Sequence, residues 1–180
     1  MTRSPAEEKP SSAARRIRVT VNGLAHEALV EPRTTLADFL RGDLGLGGTH
    51  LGCEHGVCGA CTIRLEGRTV RACLMLAVQA DGRSLTTIEG LGREGALHPI
   101  QQAFVEEHGL QCGFCTPGFV VSVHELLELH PDPSDEEIRE FLGGNLCRCT
   151  GYKAILRSVR LAARRLREAR APGAAPAEDA

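Results

Sequence analysis

Between Arg16 and Val30 apolar residues occupy alternate positions, Ile17, Val19 and Val21, and the alternation stops at Asn22-Gly23. That dipeptide accepts the positive φ angles of a two-residue turn, so the segment predicts a β-hairpin. Thr35 stands where it can cap a short helix carrying Leu36, Phe39 and Leu40. Thr62 to Leu74 predicts a second hairpin turning at Glu66-Gly67, and Ser84 to Ile88 a last short strand. Past Gly92 the apolar period lengthens from two to about 3.6. A helix is predicted over Pro99 to His108. Phe119, Val123, Leu126, Leu127 and His130 share one helical face, and Ile155, Val159, Ala162 and Leu166 share another. Between them Ser134 and Glu137 form a capping box ahead of Ile138, Phe141 and Leu142. The chain therefore reads as a β-rich half, 15–91, and an all-helical half, 92–170. The segments 1–14 and 171–180, rich in Ala, Pro and charge, are expected to be disordered tails.

Composition removes several classes of function. Aromatic residues are 3% of the chain, Trp is absent and the net charge is −2, so neither base stacking nor phosphate neutralisation is supported and no nucleic-acid partner is expected. No apolar run approaches the roughly 20 residues of a bilayer span, so no membrane insertion is expected. Arg15-Arg16 superficially suggests a twin-arginine export signal, but an alternating strand pattern follows it rather than an apolar core. A cytoplasmic location is the expectation. In that reducing compartment the 8 cysteines point to metal ligation rather than disulfides.

The chemistry gathers where periodicity fails. "GLGGTHLGCEHGVCGAC", Gly45 to Cys61, is 17 residues long with 6 glycines, and long aperiodic loops in compact domains are usually functional. Cys53, Cys58 and Cys61 lie in this loop and Cys73 on the following strand, the C-x4-C-x2-C…C spacing of a plant-type two-iron, two-sulfide cluster. The alternative is a zinc site or four buried free thiols, although zinc ribbons usually bring two C-x2-C knuckles together. His50 and His55 flank these thiols, but four cysteines already complete a site.

"QCGFCTPGF" and "NLCRCTGYKAI" carry Cys112, Cys115, Cys147 and Cys149. In each segment the last Cys precedes Thr, a residue suited to cap a helix, and then a helix, with Pro117 at the first helical position after Thr116 and Gly151-Tyr152 after Thr150. Two helix N-termini would thus face one anionic centre. A second cluster fits this arrangement, with zinc on C-x2-C plus C-x-C as the alternative. The final helix, Tyr152 to Arg170, holds 7 Lys or Arg residues against the single acid Glu168: either a solvated face or a docking surface for an acidic partner.

Taken together, "CEHGVCGACTI", "QCGFCTPGF" and "GNLCRCTGY" resemble the iron–sulfur subunit of the xanthine oxidase and aerobic carbon monoxide dehydrogenase family of molybdenum hydroxylases, over about Arg16 to Arg165. The resemblance implies an α+β fold, with an N-terminal β-grasp plant-type 2Fe-2S ferredoxin domain followed by a C-terminal four-helix 2Fe-2S-binding domain. It implies electron transfer in a multi-subunit oxidoreductase. A large subunit would carry the molybdopterin cofactor, and a medium subunit would carry FAD. Cys112, Cys115, Cys147 and Cys149 would hold the cluster nearer molybdenum, and Cys53, Cys58, Cys61 and Cys73 the cluster nearer flavin. Gln111 and Cys149 match positions that contact the pterin. No substrate-converting residue is expected in this chain.

Overall fold

A computed structural model describes residues 13–93 and 95–170. The expected tails thus fall outside the described residues, apart from Ala13 and Ala14. Strands β1 (Arg15–Val21) and β2 (Leu24–Val30) form the first hairpin, with Asn22 and Gly23 both at positive φ, 53° and 81°. Strands β3 (Thr62–Leu65) and β4 (Arg68–Arg71) form the second, with Glu66 and Gly67 likewise at 49° and 80°. Helix α1 (Leu36–Asp38) lasts one turn, capped by the Thr35 hydroxyl at 3.0 Å from the Asp38 amide, and runs on into a π-helical turn, Phe39–Asp43. β5 (Ser84–Thr86) completes a five-stranded sheet in the order β2-β1-β5-β3-β4. β5 pairs parallel with β1 and antiparallel with β3, a non-local arrangement that no hydrophobic period announces. Ile17, Val19, Ile63 and Leu85 from the sheet bury against Leu36, Phe39 and Leu40.

The second half consists of α2 (Pro99–Glu106), α3 (Thr116–Leu129), α4 (Asp135–Leu142) and α5 (Lys153–Arg170), around Phe104, Phe119, Leu126, Ile138, Ile155 and Val159. The Ser134–Glu137 capping box forms as expected, Ser134 N–H donating to Glu137 Oε2 at 2.7 Å and Glu137 N–H to Ser134 Oγ at 3.3 Å. Two expectations need correction. Cys73 is not on a strand: β4 ends at Arg71 and Cys73 lies in a 3₁₀ turn, Ala72–Leu74. Thr116 does not cap α3; Cys115 occupies the cap position and Thr116 is already helical.

The cations of α5 are largely spent inside the chain. Arg165 forks onto Glu106 of α2 at 2.7 and 2.8 Å, Arg157 reaches Glu107 at 2.9 Å and Arg160 reaches Asp135 at 2.6 Å. Arg167 pairs with Asp132 ahead of α4. They tie α5 to its neighbours, which weakens the docking-surface reading.

The two halves are joined through α3. Asn145, 3% exposed, donates from Nδ2 to Gly59 O at 3.1 Å and accepts at Oδ1 from the Ser122 hydroxyl at 3.0 Å. Gly118 of α3 is packed so closely that a Cβ there would lie 2.3 Å from Gly59 O, and a Cβ on Gly59 would lie 2.5 Å from Gly144 O. Buried Glu125 accepts from the Thr69 amide at 2.9 Å and pairs with Arg68 at 2.9 Å, so α3 covers the β4 edge of the sheet. Beside it Arg64 of β3 pairs with Glu128 and donates to His124 Nδ1. Burial first, then the Arg64 charge, lowers the His124 pKa to about 4.

Two outcomes follow from this seam. Gly118→Ala should cost roughly 1–3 kcal/mol through overpacking against backbone that has little room to yield, measured by chemical denaturation; an unchanged midpoint would mean the seam gives way freely. The second outcome concerns pH. Unfolded His124 takes up a proton near its ordinary value of 6.5 and folded His124 only near 4, so stability present above pH 6.5 is lost as pH falls toward 4. The contribution is on the order of 1–2 kcal/mol after solvent screening. His124→Gln should flatten the denaturation midpoint between pH 7 and 5 relative to wild type. The His98 ring and the Glu128 and Arg170 charges face the same imidazole and remain in both proteins.

Candidate functional site: two sets of paired thiols

The loop from Gly45 to Cys61 carries no regular secondary structure. It is bent back on itself by glycines and by Glu54, whose φ is +55°. Its sulfurs come in pairs with Cys73. Cys53 Sγ accepts the Cys58 amide at 3.4 Å, and that donor, followed by the His55 amide, lowers the Cys53 thiol to about 6. Cys61 and Cys73 are both buried side by side, and burial, with the neighbouring Cys73 thiol, pushes Cys61 up to about 11. The neighbouring histidines are turned to other work. His50 Nδ1 contacts Phe114 O at 2.7 Å while its ring stacks on Phe114, centroids 4.9 Å apart, and His55 Nδ1 contacts Cys53 O. Neither imidazole contributes to the thiol pairs.

The second set is also pairwise. Cys112 Sγ and Cys149 Sγ are 3.6 Å apart and both exposed. Cys115 and Cys147 form the inner pair, where burial pushes the Cys115 thiol up to about 12. Burial acts on Cys147 in the same sense, but it is outweighed by the Thr150 hydroxyl and amide and the Cys149 amide, which hold that thiol below its ordinary value. Gln111 is exposed beside the outer pair, and its side chain makes no hydrogen bond among the described residues. All eight cysteines are free. Among the described residues no three His, Cys, Asp or Glu side chains close around a single point as a mononuclear metal site requires.

This donor set suits two-iron, two-sulfide clusters, in which each iron takes two thiolates and shares two sulfides. Amides aimed at Cys53 and Cys147 supply the positive dipoles that an anionic cluster needs. Thr116 Oγ1, at the root of α3 next to Cys115, is buried without a hydrogen-bond partner, a donor suited to an acceptor the chain itself does not carry. Gly52 leaves the space against the first set: a Cβ there would lie 3.2 Å from Cys58 Sγ.

Periodicity alone missed the residues that bring the sets together. Leu146 N–H donates to Cys58 O at 2.9 Å, so the residue before Cys147 is hydrogen-bonded to a cysteine of the first set. Asn145 stands one residue earlier and fixes the same loop to Gly59. An Asn two residues ahead of a C-x-C pair was the available signal, since a polar residue between apolar Leu142 and Leu146 has to find partners when buried.

Residues 19–86 match the 2Fe-2S iron–sulfur cluster binding domain, and residues 87–160 match the [2Fe-2S] binding domain. The chain is 58% identical to the caffeine dehydrogenase subunit gamma of Pseudomonas sp. strain CBB1 over 147 residues, 80% of this chain and 88% of that protein. It is also 58% identical to the nicotine 6-hydroxylase small subunit of Paenarthrobacter nicotinovorans over 143 residues, 79% of this chain and 86% of that one. Among solved structures it superimposes on quinoline 2-oxidoreductase from Pseudomonas putida 86 with a TM-score of 0.84 at 47% identity, covering 87% of this chain and 98% of that chain. Paired thiols in two differently built domains, the two domain matches and relatives matched over most of their length lead to one conclusion: the chain belongs to the small iron–sulfur subunits of the xanthine dehydrogenase family of molybdenum hydroxylases.

Proposed function

We propose that this subunit conducts electrons from a molybdopterin site on a large partner subunit, through the helical-domain cluster and then the sheet-domain cluster, to FAD on a medium subunit or to another acceptor. In this reading 15–91 is a β-grasp ferredoxin domain and 92–170 a four-helix domain. Cys53, Cys58, Cys61 and Cys73 ligate one cluster, and Cys112, Cys115, Cys147 and Cys149 ligate the other. When bound, such clusters supply one-electron chemistry between two cofactors that each handle electron pairs.

The observation that carries the proposal is the 2.9 Å hydrogen bond from Leu146 N–H to Cys58 O, which joins the backbone next to one ligand of each set. Electron tunnelling falls steeply with distance, so the chain's own task is to hold the two ligand sets together and to leave each reachable from outside. The exposed Cys112, Cys149 and Gln111 supply the second set's outer face. A carboxamide with both a donor and an acceptor suits the edge of a pterin heterocycle. On the first set, Val57 and Leu74 are exposed beside the thiols, and Phe114 and Leu146 are exposed beside the second, apolar surface suited to partner subunits.

Substrate choice lies with the partners. Two relatives named for caffeine and for nicotine are each 58% identical to this chain, as expected when small-subunit sequence follows electron transfer rather than substrate. The free thiols favour a reducing, cytoplasmic setting.

Metal and sulfide analysis with electron paramagnetic resonance of the reduced protein should give about four irons per chain and two distinct signals. Stoichiometric zinc, or a single signal, would sink the proposal. Cys149→Ser should abolish the helical-domain signal and leave the other intact, because a hydroxyl is a poor iron ligand beside a thiolate. Gln111→Ala should keep both signals and slow substrate reduction of the helical-domain cluster in rapid-mixing experiments. Native pterin retention with native rates would take Gln111 out of the path.

A further inference from the structure

Thr150, between Cys149 and the final helix, has a hydroxyl fixed on both sides. Its Oγ1 accepts the Tyr152 amide at 3.2 Å and lies 3.2 Å from Cys147 Sγ. The amide occupies a lone pair of the hydroxyl and leaves its proton free to point at sulfur. A thiolate ligand has no proton to return, so the direction of that bond is forced: Thr150 donates and Cys147 accepts.

Tyr152 locks the turn in place. Its backbone takes φ +67°, which a non-glycine residue keeps only when its surroundings insist. Its phenol oxygen accepts the Cys147 amide at 2.9 Å and its ring meets buried Phe119 edge-on, centroids 6.3 Å apart. The segment Cys147–Tyr152 is thus a closed ring of hydrogen bonds around one sulfur, and Cys147 is only 9% exposed. A donor fixed in so shielded a place acts at a lower dielectric than it would in water.

We propose that Thr150 is a positioning residue whose hydroxyl, held by Tyr152, donates to the Cys147 thiolate and raises the reduction potential of the helical-domain cluster. The inference rests on the assignment of Cys147 as a cluster ligand. Reduction adds one electron and hence one negative charge, part of it on the thiolates, so a fixed donor stabilises the reduced form more than the oxidised one. Thr150 thereby helps the helical-domain cluster accept electrons from the molybdenum side. The other three cysteines of that set have no hydroxyl donor of this kind among the described residues.

The test is a redox titration of the assembled enzyme, followed by electron paramagnetic resonance at each signal, with the helical-domain signal identified as the one lost in Cys149→Ser. In Thr150→Val, which keeps the side chain's shape, that signal should titrate at a more negative potential. The expected change is about tenfold in the reduced-to-oxidised ratio at fixed poise, or about 59 mV for a one-electron couple. The sheet-domain signal should stay in place as an internal control, and Thr150→Ser should restore the wild-type value. An unmoved helical-domain signal in Thr150→Val, or a Ser variant as shifted as the Val variant, would overturn the proposal. So would loss of the cluster from both Thr150→Val and Thr150→Ala, which would make the hydroxyl a requirement for assembly instead. Zinc or a single signal in the wild type would instead remove the ligand assignment beneath it, a failure visible before any variant is made.

Discussion

The carboxamide of Asn145 is the contact on which the rest of this molecule depends. It is buried where the sheet domain's cysteine loop meets α3, with its donor side on Gly59 and its acceptor side on Ser122. A buried amide deprived of either partner costs about 1–3 kcal/mol, so the bond resists separation of the halves more than its net strength suggests. The same seam needs two residues without side chains, Gly59 and Gly118, because any Cβ at either would press on backbone. Close packing and a buried polar bridge together set how near Cys58 and Cys147 come, and that nearness is what the proposed electron relay would require.

The two thiol sets sit in unlike surroundings. In the sheet domain the buried pair, Cys61 and Cys73, sits at the end of β4 against the core, and the loop pair faces outward through Cys53 and Cys58. In the helical domain the outer pair, Cys112 and Cys149, is fully at the surface while Cys115 and Cys147 are drawn inside. Amide donors cluster on Cys53 in one set and on Cys147 in the other. Donors and burial govern how readily an iron–sulfur centre takes an electron, so on the proposed ligand assignment two folds would give one short chain two different centres.

Much of this was legible in the sequence because local rules decided it. Asn22-Gly23 and Glu66-Gly67 mark turns whose positive φ angles few residues accept, and Ser134 with Glu137 marks a helix start through bonds made within four residues. The cysteine spacings were legible for the same reason. What periodicity could not reach was set by distant partners. β5 inserts between β1 and β3, and Asn145 finds Gly59 across 86 positions. Cys73 was misplaced on a strand because apolar residues continue to Leu74 while the ladder stops at Arg71. Thr116 looked like a cap from its place before Pro117, yet the helix begins one residue sooner and its hydroxyl turns inward.

The last helix shows how a charge count misleads when partners are out of sight. Seven cations on α5 suggest a surface awaiting an acidic protein. Folded, Arg157, Arg160, Arg165 and Arg167 each meet an acid from α2 or the residue just past its end, from α4 or from the turn ahead of α4. Exposed pairs of this sort contribute little to stability one by one, but they use up the field that would have drawn a partner. Apolar side chains at the two cysteine loops, Val57 and Leu74 on one and Phe114 and Leu146 on the other, are left uncovered instead. Covering them with other subunits would bury apolar area and exclude water from the sulfurs at once, so on the proposed electron path the surfaces that would favour assembly are also those through which electrons would enter and leave.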